Sequence, residues 1–515
     1  GEKAIDYSIR AGEAAQEAFA YEEARAHWEA ALGLMEQQAS ESLSSGESAE
    51  HRARLLERLG DLMYVTDWQN GISYLERALR SFENLGDTQE SARLHSKLGR
   101  SLSTFGQSLD IDRALEHYRA AEPILRAGPE QLALGHVHLG MATAALMSLR
   151  TADGMTHSAS AMTIAEGLGS DGLWASAASL HGWLMMACGE MAEGQALMQQ
   201  AHERADRQNS TATFFAAWLR ADIVGLVLGD AIDALEWMTR ELASPRLANA
   251  PHQRRVAYAE LGWDFALMGR LAEARRALPY ANPDWPLDAA IEARDNWEVA
   301  ESRFAEEQEK FRKRGDRWNE WRCCLWQAQA CRAGRKYAQA ADLLTAGLAA
   351  VASAPFVPME VAMRAELALL CAERGRADEA ELHLARCREV IIHDEDWHGL
   401  AGRVALAQAA TFGLAGCVDE AEAHFARALA TFQRYSLPWD EAETCTIRGQ
   451  VLARAGRSYR YAALESFERA TAIYSSHGAS QPWIDHVLAI QRRVTGSRSG
   501  SAPAHPDSLT EREVE

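Results

Sequence analysis

The chain has 515 residues, 47% of them hydrophobic and 24% charged, and its 73 acids against 53 bases leave a formal net charge of −20. That balance excludes a nucleic-acid grip along this length, because neutralising phosphates takes clustered Lys and Arg. No apolar run approaches the roughly 18 residues of a membrane span, and eight cysteines without a CxxC pair or regular spacing exclude a disulfide scaffold and suit a reducing cytoplasm.

At the front, Gly1-Glu2-Lys3-Ala4-Ile5 has neither an initiator Met nor an apolar signal stretch and reads as the cut end of a longer polypeptide. Ala11-Gly12-Glu13-Ala14-Ala15 and Phe19-Ala20-Tyr21-Glu22-Glu23-Ala24 come next. These residues are similar to the junction at which signal-transduction ATPases pass into their helical repeats. The resemblance implies an ATPase ahead of residue 1, or the nucleotide cyclase that some family members carry. It implies no cofactor within the present residues.

One offset pattern then recurs along the chain. A small residue is followed by another twelve later, a large apolar residue four beyond, and a small one after three more. Imperfect copies stand at Gly12, Ala24, Trp28, Ala31 and, shifted, between Gly60 and Ala78. Regular copies follow at Gly182, Gly194, Met198, Ala201; Gly262, Ala274, Leu278, Ala281; Ala328, Ala340, Leu344, Gly347; Ala368, Ala380, Leu384, Cys387; and Ala409, Ala421, Phe425, Ala428. Gly449 to Ala470 closes the series with two residues added. Two antiparallel helices approach closely only where side chains are small, and the large residue one turn on fills the next gap. Turns such as Cys188-Gly189-Glu190 and Arg374-Gly375-Arg376 separate the paired positions, with glycine suited to the left-handed end of a helix.

The pattern resembles the tetratricopeptide repeat over roughly residues 5 to 492, in degenerate copies that mostly lack its helix-start aromatic and closing proline. The expected fold is all-α, a right-handed superhelical solenoid of antiparallel helix pairs, with about eleven or twelve hairpins longer than the ~34-residue ideal. Pro279 to Pro286 interrupts the array, since proline cannot continue a helix. An N-terminal arm over 1–282 and a C-terminal arm over 283–494 are expected to meet there.

Candidate binding residues follow from the repeat register. Trp183 and Trp263 come directly after the small residue of their first helices, Met186 shares the side of Trp183, and Gln329 and Gln450 hold the equivalent place in later copies. In tetratricopeptide arrays that position faces the concave groove, so these five residues are expected to line a site for a small-molecule effector, or for a protein or peptide partner. The competing reading is that the tryptophans fill space between hairpins.

Other constellations carry no chemistry. His393-Asp394-Glu395-Asp396-Trp397-His398 falls between hairpins, and consecutive residues cannot all face one metal ion. His136 and His138 project about 200° apart on a helix, Asp110-Ile111-Asp112 lacks the rest of a calcium loop, and Cys323-Cys324 reads as core beside Trp321 and Trp326. With no phosphate-cradling loop, no HExxH and no nucleophile beside a base, no catalytic or metal residue is assigned and no enzyme is expected.

Residues 495–508 are rich in Gly, Ser and Pro and read as a flexible linker. Residues 509–515 then open a new helix. Thr510 and Glu513 form a capping box, with Leu509 and Val514 placed as the hydrophobic staple across it. Leu509-Thr510-Glu511-Arg512-Glu513 resembles the opening of a LuxR-type helix-turn-helix DNA-binding domain. Large bacterial LuxR-type regulators, maltose-regulator-like ones included, run in the order ATPase, helical sensor, helix-turn-helix. The resemblance thus implies a cytoplasmic sensor segment, free to self-associate, that reaches DNA only through a domain beyond Glu515. A general peptide-binding scaffold unrelated to transcription is the alternative. Five lysines against 48 arginines fit a GC-rich bacterial genome.

Overall fold

Among the described residues, eight hairpins turn on a residue of positive φ, in two evenly spaced runs. Positive φ recurs at Leu149, Gly189, Gly229 and Gly269, then at Arg335, Gly375, Gly416 and Gly456, in steps of 40 or 41 residues. The computed structural model describes residues 2–496 apart from 19, 42–45, 67, 104–108, 209–211, 249, 284, 355 and 392–395. Among them all regular structure is helical, in successive antiparallel pairs such as Asp171–Ala187 with Met191–Arg207 and His398–Leu414 with Val418–Arg434. The protein is thus an all-α superhelical solenoid of tetratricopeptide-like pairs.

The small-residue positions make the close crossings. A Cβ placed on Gly182 would come within 2.6 Å of the Gly194 carbonyl oxygen, and one on Gly449 within 2.8 Å of the Phe467 ring. In the copies beginning at Ala368 and Ala409, all four positions are buried. The copy at Gly262 departs from expectation. Leu278 is 41% exposed because the chain turns into a short 3-10 segment, Leu278–Tyr280, at Pro279. Leu287, from the helix Leu287–Asp295, fills the gap over Gly262 instead.

The interruption at 279–286 does not divide the core. Trp285 and Leu287 belong to one apolar cluster that runs from Leu109 to Val451. The first hairpins, from Ala24 to Leu98, keep a separate cluster. The last helix, Gln481–Gly496, extends two residues into the stretch expected as linker. The rest of that linker, and the expected helix-turn-helix start at Leu509, Thr510, Arg512 and Glu513, lie outside the described residues.

Successive coils of the superhelix rest directly on one another. Leu400 N–H donates to the Leu228 carbonyl at 2.9 Å, and the Gly229 turn sits against Gly399, leaving 3.4 Å between a built Cβ and the Gly399 Cα. Gln195 Nε2 lies 2.9 Å from His398 Nε2, which is 203 positions on, and Ser480 Oγ donates to the carbonyl of Asp295, 185 positions back. One coil therefore takes somewhat under 200 residues, about five hairpins, and the turn glycines of one coil abut helix starts of the next.

Candidate functional site

The helix Arg317–Ala333 carries a stripe at intervals of four: Trp318, Arg322, Trp326. That spacing places all three on one face. At the upper end, Trp183 stacks on Phe356 at 5.3 Å and meets Trp318 edge-on at 5.3 Å. Both indoles donate to Asp222, Trp183 at 3.1 Å and Trp318 at 3.3 Å, and Arg322 donates to the same carboxylate at 3.0 Å. Asp222 lies on a seven-residue π-helix, Ala221–Val227. Arg322 sits 5.1–5.8 Å from the ring centroids of Trp263, Trp285, Trp318 and Trp326, among aromatic faces that attract a cation.

More carboxyl groups crowd this region than Arg322 can neutralise. Trp218 donates to Glu260 at 2.9 Å, while Asp264 has no hydrogen-bond partner on either oxygen among the described residues. Burial pushes the Asp222, Glu260 and Asp264 carboxyls up, the latter two well above the usual range, with neighbouring acids adding to the effect for Glu260 and Asp264. Such groups stay protonated where an exposed acid would ionise.

Further along the stripe the side chains become small, and a cavity opens. Ala266, Ala290, Ala293, Ala330 and Ala333 line it, leaving about 80 Å³ between the middle of the array and its last hairpins. A second space of about 110 Å³ adjoins it, sharing Arg332, Glu443, Tyr474 and Trp483. Aromatic rings form much of the wall. Trp263 stacks on Trp326 at 4.2 Å, Trp297 meets Trp483 edge-on at 4.8 Å, and Tyr474 stacks on Trp483 at 5.2 Å. Trp439 faces Tyr474 and receives the Arg294 guanidinium at 5.6 Å.

The polar groups of this cavity are unevenly satisfied. Arg332 is ringed by Glu366, Glu373 and Glu443. Burial lifts Glu373 to about 7, whereas the pull of Arg332 overcomes burial at Glu443 and holds it below its usual value. Arg403 pairs with Asp440 at 2.7 Å. Arg294, partly exposed on the wall, has no hydrogen-bond or ion-pair partner among the described residues, and burial lowers its pKa with Arg403 adding to the effect. The indole N–H groups of Trp263, Trp297, Trp439 and Trp483 are buried without hydrogen-bond partners among the described residues. An unpaired buried donor costs on the order of 1–3 kcal/mol, so four around one cavity mark a place completed by something outside the chain.

The five residues expected in a groove separate into two groups. Trp183 and Met186 do not line an open face. Both are fully buried, and Trp318 and Phe356 from later hairpins pack on Trp183. Trp263 and Gln329 line the first cavity, and Gln450 lines the second. Sequence reasoning missed Arg294, Trp297, Trp439 and Trp483; the first two come from adjacent helices and meet the last two, far along the chain, only because the coils stack. The stripe of Trp318, Arg322 and Trp326 was the one visible signal. From the segment that looked like a metal cluster, Asp396 accepts from Tyr435 Oη at 2.7 Å within its own coil, and His398 Nδ1 lies 3.1 Å from Asp230 of the preceding coil.

No known family model and no curated protein sequence matches the chain. Among solved structures it is similar to the APC/C hetero-tetramer Cut9–Hcn1, at 13% identity over 96% of this chain and 94% of that one, with a TM-score of 0.48. A monomeric IFIT1 mutant with m7Gppp-AAAA matches at 15% over 96% and 90%, TM-score 0.29, and yeast Tom70 at 11% over 96% of both, TM-score 0.26. These superpositions are loose, and the fold assignment rests on the helix pairs themselves. Among the described residues no helix is long and apolar enough to cross a membrane.

Proposed function

We propose that this chain is a ligand-responsive interaction scaffold: a small molecule enters the aromatic cavity, and its binding changes how firmly the last hairpins hold the coil beneath them. The observation that carries this reading is the seam itself. The cavity lies where the helices Pro438–Ala455 and Gln481–Gly496 close over Pro251–Leu267, Leu287–Asp295 and Arg317–Ala333. A ligand touching both sides favours the closed arrangement by its differential affinity, which is the one way a ligand shifts such an equilibrium. The surface of the closed coil then differs from that of the opened one, and a protein partner reads the difference.

The regulatory setting is a bacterial LuxR-type transcription factor, in which this segment is the sensor and a helix-turn-helix reader is the output. The resemblance over Leu509 to Glu513, with its capping box, and the one over residues 11–24 support that setting. The test has two parts. A metabolite screen by thermal unfolding is expected to find compounds that stabilise the wild type and lose their effect in Ala330→Trp, which fills the cavity. If no compound distinguishes the two proteins, the sensor reading fails. Should a longer protein containing these residues bind no DNA with or without such a compound, transcription drops out and a scaffold remains.

A further inference from the structure

The unpartnered groups in the cavity have one character, with Asp440 Oδ2 the exception. Four of them are N–H donors on aromatic rings, and the fifth is the Arg294 guanidinium. Trp263 and Trp439 are each 97% buried, so no bulk water relieves them. A bound acceptor does, and a charged one gains most, because hydrogen bonds to an ionised group are shorter and about twice as strong as neutral ones.

Charge fixes how much anion the space tolerates. Arg332 is already paired with three carboxylates and Arg403 with Asp440, while Arg294, on the wall of the first space, makes no ion pair among the described residues and feels Asp440 only at a distance. A dianion such as phosphate would bring a second negative charge beside Asp440 and Glu443. Size gives a second limit. Two adjoining spaces of about 80 and 110 Å³ fall below the roughly 300 Å³ and more of a drug-sized site. The flat aromatic walls suit a planar group on an apolar body. Asp440 Oδ2, an unpartnered acceptor, suits a hydroxyl on the same molecule.

We infer that the ligand of this cavity is a free small monocarboxylic acid, its carboxylate set against Arg294 and the indole N–H groups and its apolar body against the rings. This deepens the sensor reading and rests on it. The acid arrives from solution rather than as the end of a peptide, since the cavity is too small for a chain and most of its wall is buried.

Calorimetric titration of the whole chain with acetate, lactate and benzoate, each against its amide, tests the assignment. At least one acid is expected to bind about tenfold or more tightly than its amide, a difference of ~1.4 kcal/mol. Arg294→Gln is expected to remove that preference, Arg294→Lys to restore part of it, and Trp439→Phe to weaken binding with the ring retained. Circular dichroism of each variant confirms that the helices remain. Amides that bind as well as acids, with Arg294→Gln unchanged, overturn the ligand class and leave the sensor standing. A peptide that binds through its free C-terminus, with no free acid binding, overturns the solution source. If neither these acids nor any compound in the metabolite screen binds, the donors are served by water alone and both readings fall.

Discussion

At the scale of single residues, the turn glycines separate two effects that usually come together. Gly269 and Gly416 have similar backbones, φ +70° and +80°, but only Gly269 is crowded: a Cβ there would come within 2.8–2.9 Å of Trp439, His477 and Pro438 of the next coil, whereas Gly416 faces open space. Gly416→Ala should therefore cost about 1 kcal/mol, the penalty of a side chain in the left-handed region. Gly269→Ala should cost about 1–3 kcal/mol more, since the overpacked seam must give way. Denaturant unfolding of both variants checks this, and equal losses would mean that the coils do not press on each other. Thiols offer a second residue-level reading. Cys188 and Cys417 are exposed and the other six are buried, with burial pushing Cys324 and Cys331 up to about 12. Two fast-reacting thiols are expected in the native protein and eight after denaturation, by titration with a chromogenic disulfide. The direction of Trp183 was not legible in the sequence at this scale. Its register gave the side of the helix, but whether that side meets solvent or another coil depends on residues such as Phe356, far along the chain.

At the scale of elements, most of the fold could be read in advance, because hairpin packing is local and repeats. Glycine or alanine at Gly182, Ala368 and Ala409 announced each crossing. The copy at Gly262 misled, since Pro279 cut its second helix short and Leu287 took the place assigned to Leu278. The buried acids Glu260 and Asp264 on the helix Pro251–Leu267 had no periodic signature either. They give this element a pH response whose sign follows from their raised pKa values. Between the unfolded carboxyl range and those raised values the native state holds more protons than the unfolded one, so stability falls as pH rises through that window and is greatest below it. Asp264→Asn keeps the shape and removes the proton. Its melting temperature should fall less than that of the wild type between pH 4 and 8, and lie higher at pH 8. Parallel pH curves for the two proteins would show that Asp264 does not hold its proton.

At the scale of the whole molecule, the coil contacts change how the array behaves as a material. An open solenoid is stable as a sum of neighbouring repeats, yet here one apolar cluster joins Leu109 to Val451 while the first hairpins keep their own. Hydrogen exchange in rising denaturant should show residues 24–98 opening first and 109–451 opening later as one unit. A smooth gradient along the chain would contradict it. The cavity was invisible in the sequence for the same reason: Arg294, Trp439 and Trp483 come together only when the second coil lies on the first. The packing of Trp183 against Trp318 and Phe356 also sets a schedule for synthesis. At about 5–20 residues per second, a ribosome finishes the partners of Trp183 roughly 10–30 s after Trp183 itself. For that interval the half-built spiral presents a greasy inner wall, and a chaperone holding nascent chains has its clearest reason to wait there.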